Sequence, residues 1–181
     1  MDILSVVVSF LELILTVVMA VLVVYVTLRG MIKTNTDFDS DKEIIKGNVA
    51  VGLLVSALLL ASANIMHQAF KPVVDTIHLY LTSPLVQSTK QWKVALYVIG
   101  NLVLAYFIVV ATLSVSLRLF GRLARTKDTR PGKELHKGNV AIGVILASFV
   151  LIVSLFVGEG VAALSKALIP RPSVGRMQIM Q

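Results

Sequence analysis

The sequence predicts an all-α integral membrane protein, with four transmembrane helices arranged as two parallel, same-orientation two-helix repeats. Three observations predict it: four apolar runs of spanning length, charge gathered between those runs, and a ten-residue motif that occurs twice. Composition agrees, since 56% of the residues are hydrophobic against about 45–50% in an ordinary soluble domain. Only 15% are charged, and mean hydropathy is +0.86. Cysteine is absent, which excludes a disulfide framework, a thiolate nucleophile and cysteine-based metal sites.

The spans read as Ser5–Leu28, Val49–Phe70, Val94–Leu117 and Val140–Val161. Each approaches or exceeds the ~20 residues that cross ~30 Å of hydrocarbon as a helix. Backbone groups in lipid must be satisfied internally, and the alternation along these runs is too weak for barrel strands. Met1 and Asp2 do not form the basic start of a cleaved signal, so the first run is expected to stay as a span.

Between the first two spans, Ser40-Asp41-Lys42-Glu43 has capping-box spacing, which predicts helix before the second span enters the membrane. The 71–91 connection holds Pro72 and Pro84. Its Val73, Val74, Ile77 and Leu81 are spaced like one face of a short interfacial helix. Trp92 suits an interface anchor at the start of the third span. Pro170 and Pro172 stop helix in the tail. The chain thus divides into a first repeat (1–70), a connection (71–91), a second repeat (92–168) and a tail (169–181).

The strongest signal is duplication. Glu43-Ile44-Ile45-Lys46-Gly47-Asn48-Val49-Ala50-Val51-Gly52 recurs 91 residues later as Glu134-Leu135-His136-Lys137-Gly138-Asn139-Val140-Ala141-Ile142-Gly143, with seven identities. Each copy leads into an even-numbered span, so the two units should be parallel and related by a pseudo-two-fold axis along the membrane normal. Asn48, Gly52, Ser56 and Ala63 lie along one side of the second span. Asn139, Gly143, Ala147 and Ser154 lie at the equivalent places in the fourth. Small residues so spaced let backbones approach, and asparagine can hydrogen-bond across the contact. Packing at the bundle centre or between protomers is one reading of these residues; simple capping of the spans by Asn48 and Asn139 is the other.

The paired Lys-Gly-Asn-Val-Ala segments, 46–50 and 137–141, resemble those of the "domain of unknown function 350" family. That resemblance covers nearly the whole chain. It implies a small prokaryotic four-span protein with a duplicated helix pair, and it carries no established catalytic or ligand residues. It also hints at envelope maintenance, because members are often encoded near phage-shock-type stress proteins.

Basic residues set the expected orientation. Arg29, Lys33, Lys42, Lys46, Arg118, Arg122, Arg125, Lys127, Arg130, Lys133 and Lys137 lie in the first and third connections. Only Lys71, Lys90, Lys93, Lys166, Arg171 and Arg176 lie on the other side. The 29–46 and 118–137 connections are therefore expected in the cytoplasm and both termini outside. The basic hairpin from Arg118 to Lys137 suits anionic lipid headgroups, or else an acidic soluble partner. It lacks the aromatic platforms of a nucleic-acid site.

The polar candidates within the spans are Glu12, Asn64, His67, Gln68, Asn101 and Glu159. Polar groups are costly in hydrocarbon, and at ~1.5 Å per residue these lie at comparable depth in the outer half. A shared layer is expected, with His67 paired to Glu12 or Glu159. It would either line a hydrated path, with Glu12 as the gate or binding group, or be structural, with Glu12 bonded to a neighbouring helix while His67 and Glu159 reach headgroups. No phosphate-binding loop, metal-ligand spacing or nucleophile motif is present, so neither a cofactor nor an enzymatic activity is expected. The leading expectation is a non-enzymatic scaffold or accessory subunit that forms homo-oligomers or joins other membrane subunits in the cell membrane. The alternative is an ion or small-solute channel formed by the oligomer.

Overall fold

The computed structural model describes residues 3–32, 40–82, 91–123 and 131–168. Arg125, Lys127 and Arg130 of the basic hairpin, and the 169–181 tail, lie outside the described residues. Helix α1 (Ile3–Val26) runs on as a wider π-helical turn over Thr27–Ile32. It is followed by α2 (Ser40–Ile45), α3 (Val49–Thr82), α4 (Gln91–Leu123), α5 (Pro131–His136) and α6 (Val140–Leu168). Four segments are long and apolar enough to cross a membrane: Val6–Arg29, Val49–His78, Ala95–Leu119 and Val140–Leu168. The chain is an all-helical, multi-pass membrane protein.

Local chemistry explains the short elements. Pro131 opens α5 at the first helical position, where a missing N–H costs nothing and the fixed φ favours the turn. Both α2 and α5 stop at a glycine with positive φ, +80° at Gly47 and +82° at Gly138. An L side chain is strained in that conformation, so glycine is required at each stop.

α3 is the central helix. Ala50, Val51, Leu54, Leu58, Ala61, Ile65, Ala69 and Val73 are buried along it, and it packs against α1, α4 and α6. α1 sits at the other extreme, with only 6% of its spanning segment buried. Phe10, Leu13 and Val21 point away from the bundle, which suits lipid and not water.

The expected break at residue 71 is not there. Helix α3 passes through Pro72 to Thr82, so Val73, Val74 and Ile77 belong to the long helix and not to a separate interfacial one. Proline inside a helix loses a backbone hydrogen bond, but packing holds the helix together here. Phe70 and Val73 are buried against Met19 of α1 and Val98 and Leu102 of α4. Thr76 Oγ1 also donates to the Pro72 carbonyl at 2.8 Å. At ~1.5 Å per residue the helix is about 51 Å long, well beyond the hydrocarbon thickness.

Candidate functional site

The repeated motif folds into the same helix corner twice. In the first copy, Gly47 N–H donates to the Ile44 carbonyl at 2.9 Å and Asn48 N–H to the Glu43 carbonyl at 3.0 Å. This pair of bonds closes the end of α2 around a left-handed glycine. Asn48 then caps α3, its Oδ1 accepting from Val51 N–H at 3.2 Å. Glu43 ties the two halves together by accepting from Lys46 Nζ at 2.8 Å and from Asn48 Nδ2 at 3.2 Å.

The second copy repeats these bonds. Gly138 N–H donates to the Leu135 carbonyl at 2.9 Å and Asn139 N–H to the Glu134 carbonyl at 3.0 Å. Glu134 accepts from Lys137 Nζ at 2.7 Å and Asn139 Nδ2 at 3.3 Å, and Asn139 Oδ1 faces Ile142 N–H at 3.5 Å. The Glu, Lys, Gly and Asn identities are thus the residues that make one helix stop and the next begin.

The copies differ in one respect. Asn48 Nδ2 also reaches across to the second corner, donating to the Leu135 carbonyl at 2.9 Å and the His136 carbonyl at 3.3 Å. Asn139 keeps its amide within its own corner and is exposed. Asn48 therefore both caps a span and pairs across the bundle, whereas Asn139 only caps. Buried Glu43 also has His136 Nδ1 at 3.5 Å. Its carboxyl is held below the ordinary carboxylate value, chiefly by the Lys46 hydrogen bond, then by that of Asn48, with His136 assisting. Glu134 is lowered in the same direction by Lys137 and Asn139.

Beyond the corners, α3 and α6 run close together. A Cβ added at Gly143 would stand 2.8 Å from the Ala50 carbonyl oxygen, so only glycine allows this approach. Further along, Asn64 Nδ2 donates to the Ser154 carbonyl at 3.0 Å. A Cβ at Gly158 would meet Asn64 Nδ2 at 3.1 Å and Gln68 Cγ at 3.3 Å. Of the two small-residue stripes, the Gly143–Ser154 side faces α3, with Ala147 half-buried. The first stripe does not face α6: Gly52 is half-buried, and Ser56 and Ala63 are exposed. α3 meets α6 instead through the side that carries Ala50, Asn64 and Gln68, so this contact does not obey the expected pseudo-two-fold: Gly143 lies against Ala50, while its copy Gly52 has nothing within 4 Å of where a Cβ would stand.

The polar residues expected to share one layer are distributed instead. Asn64 is in the α3–α6 seam, and buried Asn101 donates to the Ala69 carbonyl of α3 at 3.4 Å. Glu12 pairs with His78, Oε1 to Nδ1 at 2.8 Å, and not with His67. His67 and Glu159 are exposed on different helices. Sequence reasoning missed His78 because it was assigned to the connection beyond Phe70. Once α3 is continuous, His78 rides on its far end and reaches α1. Arg118, Arg122, Lys133 and Lys137 of the basic surface are exposed.

Long apolar helices joined through two matching corners define a helical multi-pass membrane protein whose polar residues bind helix to helix. The chain belongs to the family described as Domain of Unknown Function (DUF350), which matches residues 3–161. No curated protein and no solved structure matches it significantly.

Proposed function

We infer that the protein is a non-enzymatic scaffold or accessory subunit of the cell membrane, built from two hairpins that point the same way. The observation that carries this is how the polar groups within the spans are used. Asn64 and Asn101 each donate to a main-chain carbonyl of a neighbouring helix. In hydrocarbon such bonds favour helix association, because the alternative partner is lipid. The same-direction arrangement is supported by contacts that advance in step along the two copies: Asn48 with Leu135 of α5, then Ala50 with Gly143 and Asn64 with Ser154 of α6. On this reading α2 and α5 lie on the cytoplasmic side, and their exposed bases meet anionic headgroups there.

Reconstitution separates the scaffold from a pore lined by the Glu12 region. Purified protein in liposomes should show no ion flux above empty vesicles, and it should self-associate or retain membrane subunits in mild detergent. Flux that Glu12→Gln abolishes would establish the pore, and strictly monomeric, partner-free protein would remove the scaffold. Vesicles with and without anionic lipid test the basic surface, with salt-sensitive preference for the anionic ones expected.

A further inference from the structure

Within one chain, α3 and α6 meet through different sides of a repeated sequence. α6 presents Gly143, Ser154 and Gly158; α3 presents Ala50, Asn64 and Gln68. Shifting each by the 91-residue repeat identifies the sides that this contact leaves unused. On α3 they are Gly52, Ala63 and His67, and on α6 they are Ala141, Leu155 and Glu159. Ala63, His67, Ala141, Leu155 and Glu159 are all exposed. Gly52 has nothing within 4 Å of where a Cβ would stand, whereas its copy Gly143 lies against Ala50. A two-fold contact would use the same side of both helices. This one does not, so it is able to repeat from chain to chain.

We propose that a second copy of the chain docks head to tail, the Gly52–Ala63–His67 side of α3 in one chain seating on the Ala141–Leu155–Glu159 side of α6 in the next. The inference rests on the same-direction reading above, since only like-oriented copies can exchange partners in this way.

Charge complementarity singles out this occupant. His67 is the copy of Gly158, and Glu159 is the copy of Gln68. Gly158 and Gln68 are direct neighbours inside the chain. Docking therefore sets the imidazole of one chain opposite the carboxylate of the next, on faces that are otherwise apolar. Each group alone is costly near hydrocarbon, and pairing offsets that cost. The pair also replaces the Asn64 hydrogen bond, which has no counterpart because the copy of Asn64 is Leu155.

Two further asymmetries fit the same contact. Asn139 is the copy of Asn48, and the carbonyls it would reach belong to Ile44 and Ile45; Ile45 is 85% exposed. α4 packs on both α3 and α6, while its copy α1 packs chiefly on α3. Head-to-tail docking brings the neighbour's α6 to the bare side of α1.

The chain contains no cysteine, so introduced thiols report the contact directly. Full-length His67→Cys and Glu159→Cys chains with different tags are co-expressed in one membrane and oxidised. Mixed disulfide dimers should form in several-fold excess over either self-dimer, and Gly52→Leu should abolish them. Self-dimers in equal or greater yield, no dimers, or mixed dimers unaffected by Gly52→Leu would overturn the proposal. Gln68→Cys with Gly158→Cys in one chain serves as the internal reference. If that bridge forms while the mixed dimer does not, the docking fails and the helix arrangement stands. If the internal bridge also fails, the arrangement itself is overturned.

Discussion

Asn48 and Asn139 occupy the same place in the repeat but have different amounts to lose. Replacing either by alanine removes a helix cap worth about 1 kcal/mol. Asn48→Ala also removes the single N–H donation that the Leu135 and His136 carbonyls share, and one net hydrogen bond contributes about 1 kcal/mol. Asn48→Ala should therefore cost about twice what Asn139→Ala does, read as the shift of the thermal unfolding midpoint in detergent; equal shifts would contradict the crossing bond. Glu43 gives a pH signature at the same corner. Its carboxyl is lowered in the folded chain, so its contribution is complete above the ordinary value of 4.5 and is lost as pH falls below it. Acidification through that range should destabilise the parent more than Glu43→Gln. Parallel pH profiles would remove the Lys46–Glu43–Asn48 link.

At the scale of elements, the α3–α6 seam depends on one glycine more than on its copy. Gly143→Leu forces a side chain onto the Ala50 backbone, and overpacking of this kind costs about 1–3 kcal/mol. Gly52→Leu enters open space and should leave the stability of the single chain nearly unchanged, as unfolding in a monomerising detergent would show. The four spans were legible because lipid demands length and apolarity, both of which a sequence displays directly. The far end of α3 was not, although its start at Val49 was. Pro72 reads as a boundary, and only the burial of Phe70 and Val73 between helices shows why the helix continues. The same limit applies to the stripes. Small residues at four-residue spacing say that a side can pack, but not which side of the other helix it meets. Gly143 and Ser154 found α3, while Ser56 and Ala63 of the matching stripe face outward. His78 escaped notice for a related reason: its distance from Glu12 is set by the continuity of α3, which no local motif announces.

For the molecule as a whole, the apolar runs fixed the span number, and the repeat marked the residues of both corners without showing how they bond. Glu43, Lys46, Gly47 and Asn48 form one bonded unit, and Glu134, Lys137, Gly138 and Asn139 form its copy. The polar layer was less legible, since comparable depth along different helices does not bring side chains to the same side of each. Asn64 and Asn101 ended on separate interfaces, with His67 and Glu159 outside the bundle. The central claim is that two hairpins share one orientation, which puts both corners on one membrane face. Single thiols in this cysteine-free chain, Lys42→Cys and Lys133→Cys at the corners and Lys166→Cys near the far end of α6, test it with a membrane-impermeant maleimide. In intact cells the two corner thiols should be protected and the Lys166→Cys thiol labelled, and inverted vesicles should reverse the pattern. Labelling of one corner thiol but not the other from the same side would contradict the account.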